Sequence, residues 1–139
     1  MPFRRGRAQF SIVSFVESSE ASVPGYPLSL ITGRVRDHYN VGTMTRRTAH
    51  AELAPDDALT LHPRDAAQLG IAEGDTACIE SRHGRTVARV EVSERVLAGN
   101  AFLSFHFPET HANRLTGPAR DPESNCPEYK LTAVRVAKA

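Results

Sequence analysis

The sequence contains no tryptophan and only two cysteines, Cys78 and Cys126, which are far apart and form no Cys-x-x-Cys pair. Zinc and iron–sulfur sites need several closely spaced ligands, so this cysteine usage argues against either kind of centre. Free cysteine is among the most often buried residues. Two buried free thiols are therefore the simplest prediction, with a disulfide as the alternative.

Motifs of nucleotide-binding and hydrolytic enzymes are also missing from the sequence. It has no His-Glu-x-x-His, no phosphate-binding P-loop, no Gly-x-Gly-x-x-Gly and no nucleophile elbow. The six histidines are scattered, and His106 and His111 have only a weak metal-ligand spacing. The sequence therefore predicts neither a catalytic residue nor a metal ligand.

The sequence also has no large excess of charge of one sign and no long apolar run. The formal net charge of +1 argues against general nucleic-acid binding. No stretch approaches the length of a membrane span, so no membrane association is expected. The start, MPFRRGRAQFSIVSF, is too broken by polar residues for a secretory signal, and the expected compartment is the cytoplasm.

The 139 residues fit one domain and predict six or seven short strands with two short helices. Strands are indicated at 26–32, 59–62, 76–80, 86–93, 101–105 and 131–136, and helices at 63–69 and 109–115. Strands that cluster between turns, without βαβ alternation, favour a mostly-β barrel with short helical inserts. Residues 1–25 are interpreted as an extended arm, packed on another surface or disordered, and residues 26–139 as the barrel domain.

The segment 32–47, TGRVRDHYNVGTMTRR, stands out chemically. Gly33 and Gly42 permit close backbone approach, and exposed N–H groups in such turns bind anions. Its four arginines, at 34, 36, 46 and 47, can add contacts to phosphates. The segment has the donors that an extended pyrophosphate-containing ligand needs. The alternative is a solvated basic loop.

A second polar group lies towards the C-terminus. An aromatic platform around Phe105, beside Asn113 and Lys130, can hold a heterocycle by stacking and hydrogen bonding. In the alternative interpretation the phenylalanines belong to the core and the polar groups cap a short helix.

Nearly the whole chain resembles a known family. YPLSLITGRVRDHYNVGTMTRR is similar to the opening of the C-terminal domain of molybdopterin oxidoreductases of the formate dehydrogenase and nitrate reductase type. ANRLTGPARDPESNCPEYKLTAVRV is most similar to the formate dehydrogenase branch, and GRAQFSIVSFVESSE resembles the segment that precedes this domain. The resemblance implies a six-stranded double-psi β-barrel of the aspartate-decarboxylase-like kind.

The resemblance also implies binding of molybdopterin guanine dinucleotide, with molybdenum or tungsten held mainly by other domains. The cofactor contacts that it implies are Thr32, Gly33, Arg34, Val35, Arg36, Asp37, His38, Tyr39, Asn40, Val41, Phe105, Asn113 and Lys130. Many relatives have His-aromatic-His-Thr where this chain has His38-Tyr39-Asn40-Val41. Val41 therefore lacks the side-chain hydrogen bond that a threonine offers.

The implied partner is a large catalytic subunit, or catalytic domains, with iron–sulfur and molybdopterin groups. The family's metal-binding and substrate-handling residues lie in those parts, so the chain is expected to contribute binding rather than catalytic residues. Two other interpretations remain open. One is the corresponding domain of a nitrate reductase or formylmethanofuran dehydrogenase, and the other is a double-psi barrel that serves as a protein-interaction module, since a fold alone does not determine function.

Overall fold

The computed structural model describes residues 10, 12, 14–21 and 23–139. Within them six strands form: β1 (Leu28–Gly33), β2 (Ala58–Leu61), β3 (Thr76–Ser81), β4 (Arg85–Val92), β5 (Asn100–Ser104) and β6 (Leu131–Lys138). The helices are α1 (His50–Leu53), α2 (Pro63–Leu69) and 3-10 helices at Thr45–Arg47, Pro108–Thr110 and Ala112–Arg114. Each strand predicted from the sequence is present, with its ends moved by at most two residues.

The strands close into a barrel in the order β1-β5-β2-β4-β3-β6. β1 runs parallel to β5 and β2 runs parallel to β4, while the other neighbours are antiparallel. Two parallel pairs within one six-stranded barrel give the double-psi arrangement. Closure leaves no unpaired sheet edge, and the predicted mostly-β barrel is confirmed.

The barrel interior is filled by aliphatic side chains that alternate along the strands. Leu30, Leu59, Leu61, Ile79 and Leu103 are fully buried. β4 shows the predicted alternation, because Ala88 and Val90 point inward while Arg89 is exposed.

Helix α2 connects β2 to β3 and follows its sequence signals. Pro63 occupies the first turn, and the His62 side chain accepts a hydrogen bond from the Arg64 N–H. Gly70 ends the helix in the left-handed conformation, with φ of 65°. The predicted helix at 63–69 is confirmed.

Three sequence predictions need correction. The helix predicted at 109–115 is two 3-10 turns, because His111 adopts a left-handed φ of 48° between them. No helix was predicted between β1 and β2, whereas this region holds the 3-10 helix Thr45–Arg47 and α1. Both cysteines are free, but Cys126 is exposed and Cys78 is only half-buried. Cys126 lies in a polar turn, and Cys78 is on the partly covered outer face of β3.

The predicted arm is described only in part, since residues 1–9, 11, 13 and 22 lie outside the described residues. Phe10, Ile12, Phe15 and Val16 are almost fully exposed, whereas Glu20 is buried against the β3–β4 turn. No helix of the part that the structure describes is long and apolar enough to cross a membrane.

Candidate functional site

The parallel pairing of β1 with β5 creates the candidate site. Gly33 at the end of β1 lies opposite Ser104 at the end of β5. Since parallel strands end at the same edge of a sheet, residues 34–41 and 105–107 emerge side by side. Position 33 leaves no room for a side chain, because a Cβ on Gly33 would lie 2.6 Å from Cε2 of Phe102. The sequence gives no sign of this partner, 69 positions away.

His106 joins the two strand ends. Its Nε2 accepts a hydrogen bond from the Val35 N–H at 2.9 Å, and its Nδ1 donates to the Asn40 carbonyl. The carbonyl can only accept, so the proton belongs on Nδ1 and the ring is neutral. The side chain is fully buried, and burial lowers the pKa of His106 below its ordinary value of 6.5.

The side chain of His38, which belongs to residues 34–41, is also buried. Its Nε2 donates to the Ala54 carbonyl at 2.8 Å, and its Nδ1 lies 3.0 Å from the Thr45 hydroxyl. Its ring also meets Phe107 edge-on, at 5.2 Å between centroids. Both ring nitrogens are therefore engaged inside the protein, which sequence reasoning did not foresee for a predicted cofactor contact.

Lys130 lies near the end of β1 because its neighbour Tyr129 is hydrogen-bonded to Thr32. The Thr32 hydroxyl donates to the Tyr129 carbonyl at 2.5 Å, so residues 129–130 lie against the end of β1. Phe105 packs on Tyr129 at 6.2 Å between centroids, and the Lys130 ammonium lies 5.6 Å from the Tyr129 ring. The structure thus brings two sequence-distant candidates, Phe105 and Lys130, to one place.

Two open clefts flank the segment, and seven of the predicted contacts line one or the other. The first, of about 550 Å³, is lined by Val41, Phe105 and Asn113 together with His106, His111 and Arg114. The second, of about 740 Å³, is lined by Arg34, Val35, Arg36 and Asp37 with Arg89 and Arg95. The predicted site residues therefore do not form one pocket.

Exposure separates the candidates again. Thr32, Gly33 and His38 are buried, and Val35, Asp37 and Phe105 are partly covered. The exposed candidates are Arg34, Arg36, Tyr39, Asn40, Val41, Asn113 and Lys130. No ion pair joins Arg34 or Lys130 to a carboxylate of residues 10, 12, 14–21 or 23–139, whereas Arg36 lies 3.8 Å from Asp37.

Arg46, which the sequence offered as a phosphate contact, is engaged within the protein. Its guanidinium forms an ion pair with Glu109 at 2.7 Å and lies 5.0 Å from the centre of the Phe107 ring. Its stem also lies against Gly42, where a Cβ would come within 2.9 Å of Cδ of Arg46. Arg46 thus supports the segment from beneath.

Asp57 is a buried acid that sequence reasoning missed. One carboxylate oxygen accepts from the Ser104 and Ala58 N–H groups, and the other lies 2.8 Å from the Thr110 hydroxyl. Burial raises the pKa of the Asp57 carboxyl above its ordinary value of 3.8, although these hydrogen bonds oppose the shift. The pair Asp56–Asp57 before a strand looks like an ordinary turn, and no local signal distinguishes it.

In the described part of the chain, no group of three His, Cys, Asp or Glu could hold a metal ion.

The model of the molydopterin dinucleotide binding domain family matches residues 28–133. The chain is 37% identical over 134 residues to F420-dependent formate dehydrogenase 1 subunit alpha of Methanococcus maripaludis, covering 96% of this chain and 20% of that protein. It is 41% identical over 126 residues to a nitrate reductase of Symbiobacterium thermophilum, covering 86% of this chain and 17% of that protein.

A solved structure is similar as well. Acetylene hydratase from Pelobacter acetylenicus superimposes with a TM-score of 0.71 at 20% identity, over 84% of this chain and 19% of that one. At this identity the likeness supports the fold alone. The chain spans about 20% of the length of the formate dehydrogenase subunits that it matches. Because the family model matches residues 28–133, the chain belongs to the molydopterin dinucleotide binding domain family.

Proposed function

We propose that the chain binds the guanine dinucleotide form of molybdopterin, as the C-terminal domain or a separate subunit of a formate-dehydrogenase-type molybdenum or tungsten oxidoreductase. The observation that carries this proposal is 36–40% identity to three F420-dependent formate dehydrogenase alpha subunits over 134 residues each. Residues 26–139 would form the binding domain and residues 1–25 an arm towards the larger catalytic part. The cytoplasm is the proposed compartment.

The chemistry of the exposed side chains fits such a ligand. A dinucleotide carries a negative pyrophosphate. Arg34 directly follows β1 and Lys130 follows Tyr129, which is bonded to Thr32, and both are exposed cations. Arginine offers a planar set of donors for phosphate, while lysine offers a compact charge. We assign Arg34 to a phosphate or pterin contact and Lys130 to a second anionic or polar part, with Arg36 as an additional cation.

The first cleft supplies the other contacts. Phe105 is partly exposed along one wall and can stack on a flat heterocycle, while the exposed amide of Asn113 can hydrogen-bond to its edge. Val41 adds an apolar contact in the same cleft. In the rest of the segment, Gly33, Val35, Asp37, Tyr39 and Asn40 would contribute mainly through backbone groups, and the buried Thr32 and His38 through shaping it.

The bound cofactor supplies the redox chemistry at its metal and pterin. The role of this chain is to bind and orient that group and to offset its charge. Arg34 and Lys130 lower the electrostatic cost of bringing a pyrophosphate to the barrel surface. Reaction with formate would require residues of the larger catalytic part.

A nitrate reductase domain is the second candidate. The observation that favours it is the 41% identity over 126 residues to the nitrate reductase of Symbiobacterium thermophilum. That relative covers less of this chain than the formate dehydrogenase subunits do, 86% against 96%.

Affinity capture of the tagged chain from its native cells tests the proposal. Recovery of a large molybdopterin subunit, or of the chain as part of one polypeptide, with molybdenum or tungsten in metal analysis, is expected. Extraction of the cofactor and chromatography of its nucleotide identify guanine, and assays with formate and with nitrate separate the two enzyme classes. Recovery of the chain with an unrelated partner and no pterin would favour an interaction module.

Site variants test the assigned contacts. Arg34→Ala and Lys130→Ala in the reconstituted enzyme should each lower cofactor occupancy, because each removes one charged contact to an anion. Arg64→Ala is the matched control, since Arg64 is an exposed cation on α2, outside both clefts that flank the segment. Unchanged occupancy and activity in both site variants would show that the assignment is wrong.

A further inference from the structure

The segment between β1 and the first 3-10 helix is spanned from below by one side chain. Nε2 of His106 accepts a hydrogen bond from the Val35 N–H, and the Nδ1–H group donates one to the Asn40 carbonyl. These two backbone groups lie five residues apart, so a single ring fixes both ends of the turn. Asn40 adopts a left-handed φ of 49°, a conformation that is uncommon outside glycine but that asparagine tolerates better than most residues.

We propose that His106 is a positioning residue that holds residues 35–40 in their binding conformation, and that it does so only as the neutral ring with its proton on Nδ1. The role of this conformation in binding rests on the proposed function, because residues 35–40 belong to the proposed cofactor contacts. The holding of the segment stands on the hydrogen bonds alone.

The ring must accept on one side and donate on the other, and this makes its protonation state decisive. The protonated imidazolium has two donors and no acceptor. Its Nε2 proton would then point at the Val35 N–H, so two donors would meet at a buried side chain. Protonation should therefore release the Val35 end of the segment while the Asn40 bond persists.

Charged and titratable groups surround His106 from two directions. Arg34 and His38, on the segment itself, disfavour a positive charge on the ring, and the His38 ring lies 5.7 Å from it between centroids. Asp57, just before β2, favours that charge. Burial between Phe105 and Phe107 outweighs both the Asn40 hydrogen bond and the carboxylate, so the pKa of His106 is lowered and folding favours the neutral ring.

Two variants separate the chemistry from packing. His106→Gln offers an acceptor for the Val35 N–H and does not titrate. His106→Leu fills the space but can form neither bond. Nitrogen NMR of the labelled chain first reports the wild-type ring, which should carry its proton on Nδ1 at about pH 7.5, above the ordinary range of histidine. Hydrogen exchange at the Val35 amide should be slow in wild type and His106→Gln, and about five- to tenfold faster in His106→Leu.

A pH series then tests the coupling to binding, with guanosine diphosphate as the probe. Its affinity for the wild-type chain should fall relative to His106→Gln as the ring becomes protonated, while His106→Leu should bind weakly throughout. The phosphate of the probe titrates in the same range, but the ratio of wild type to His106→Gln removes that effect. Dispersed amide spectra of each variant confirm that it is folded.

The outcomes distinguish this inference from the proposed function. A proton on Nε2, or a Val35 amide that exchanges equally in wild type and His106→Leu, would overturn the positioning role whatever the probe does. Equal pH profiles of probe binding for wild type and His106→Gln would overturn the dependence on protonation. If the ring and the amide behave as expected but the probe binds none of the proteins, the positioning role stands and the proposed nucleotide site is at fault.

Discussion

The Thr32 hydroxyl donates a hydrogen bond to the main-chain carbonyl of Tyr129, across 97 positions of sequence and 2.5 Å of space. Thr32 is buried at the end of β1, and Tyr129 directly precedes Lys130. This bond fixes the backbone that carries Lys130 next to the backbone that carries Arg34. Two proposed contacts for one anionic ligand are therefore held in register by a residue that need not touch the ligand.

Replacing Thr32 by valine keeps the shape and removes the donor. The free energy of unfolding should fall by about 0.5–1.5 kcal/mol, the usual net value of such a hydrogen bond, because water can still reach part of the Tyr129 loop. Urea denaturation followed by circular dichroism measures the change. Thr32→Ser retains the hydroxyl and loses a methyl group, so hydrogen exchange near Tyr129 should increase in the valine variant alone. Equal exchange in both variants would contradict this account.

Gly33→Ala should be destabilising for lack of space. The new Cβ would lie 2.6 Å from Cε2 of Phe102, and overpacking of this kind costs about 1–3 kcal/mol. Phe102→Leu removes the opposing ring edge, so the double variant should lose less stability than the sum of the two single variants. Urea denaturation of all four proteins gives the coupling. Strictly additive losses would mean that the ring is not the obstacle.

Much of the barrel could be predicted from the sequence because its signals are local. Alternation along β4 and the Pro63–Gly70 bracket of α2 each depend on neighbouring residues. The prediction of a helix at 109–115 was wrong because no local signal in the sequence reveals the left-handed conformation of His111.

The candidate site could be predicted less completely, for a different reason. The contacts of His106 with Val35 and Asn40, and of Asp57 with Ser104, exist only because the barrel places distant strand ends together. In the sequence His106 appears only as half of a weak metal-ligand spacing. The exposed basic residues were found because their chemistry shows in the sequence, whereas the buried groups that position them show only in three dimensions.

Asp57→Asn should raise stability at neutral and higher pH. Burial raises the pKa of the Asp57 carboxyl above 3.8, so folding favours the protonated acid and the ionised form is a cost. The Thr110 hydroxyl has one proton, which it can donate either to Asp57 or to the Phe107 carbonyl. The side-chain amide of the variant would donate its own N–H to the Thr110 oxygen, so the hydroxyl proton would be free to bond to the Phe107 carbonyl. Denaturation at several pH values measures the difference in free energy of unfolding.

The sign of the Asp57 effect sets its pH dependence. The difference between Asp57→Asn and wild type should be small below about pH 3.8 and grow by about 1.4 kcal/mol per pH unit up to the raised pKa, then stay constant. Other acids titrate in both proteins and cancel. His106 acts in the opposite direction, since a lowered pKa contributes stability above 6.5 that is lost as the pH falls. An advantage of the variant that shrinks as the pH rises would contradict the assignment.

Glu20 should hold the arm to the barrel, and its removal should act locally. Its buried carboxylate lies 3.2 Å from the Arg82 guanidinium and 3.0 Å from the His83 ring, both in the β3–β4 turn. Glu20→Ala should speed hydrogen exchange at residues 20 and 21, while the fully buried strands keep their protection because their bonds open only on global unfolding. Glu17→Ala is the matched control, since Glu17 is an exposed acid of the same segment. If both variants exchange alike at these amides, the ion pairs of Glu20 do not anchor the arm, and the contact of the arm with the barrel must depend on other residues.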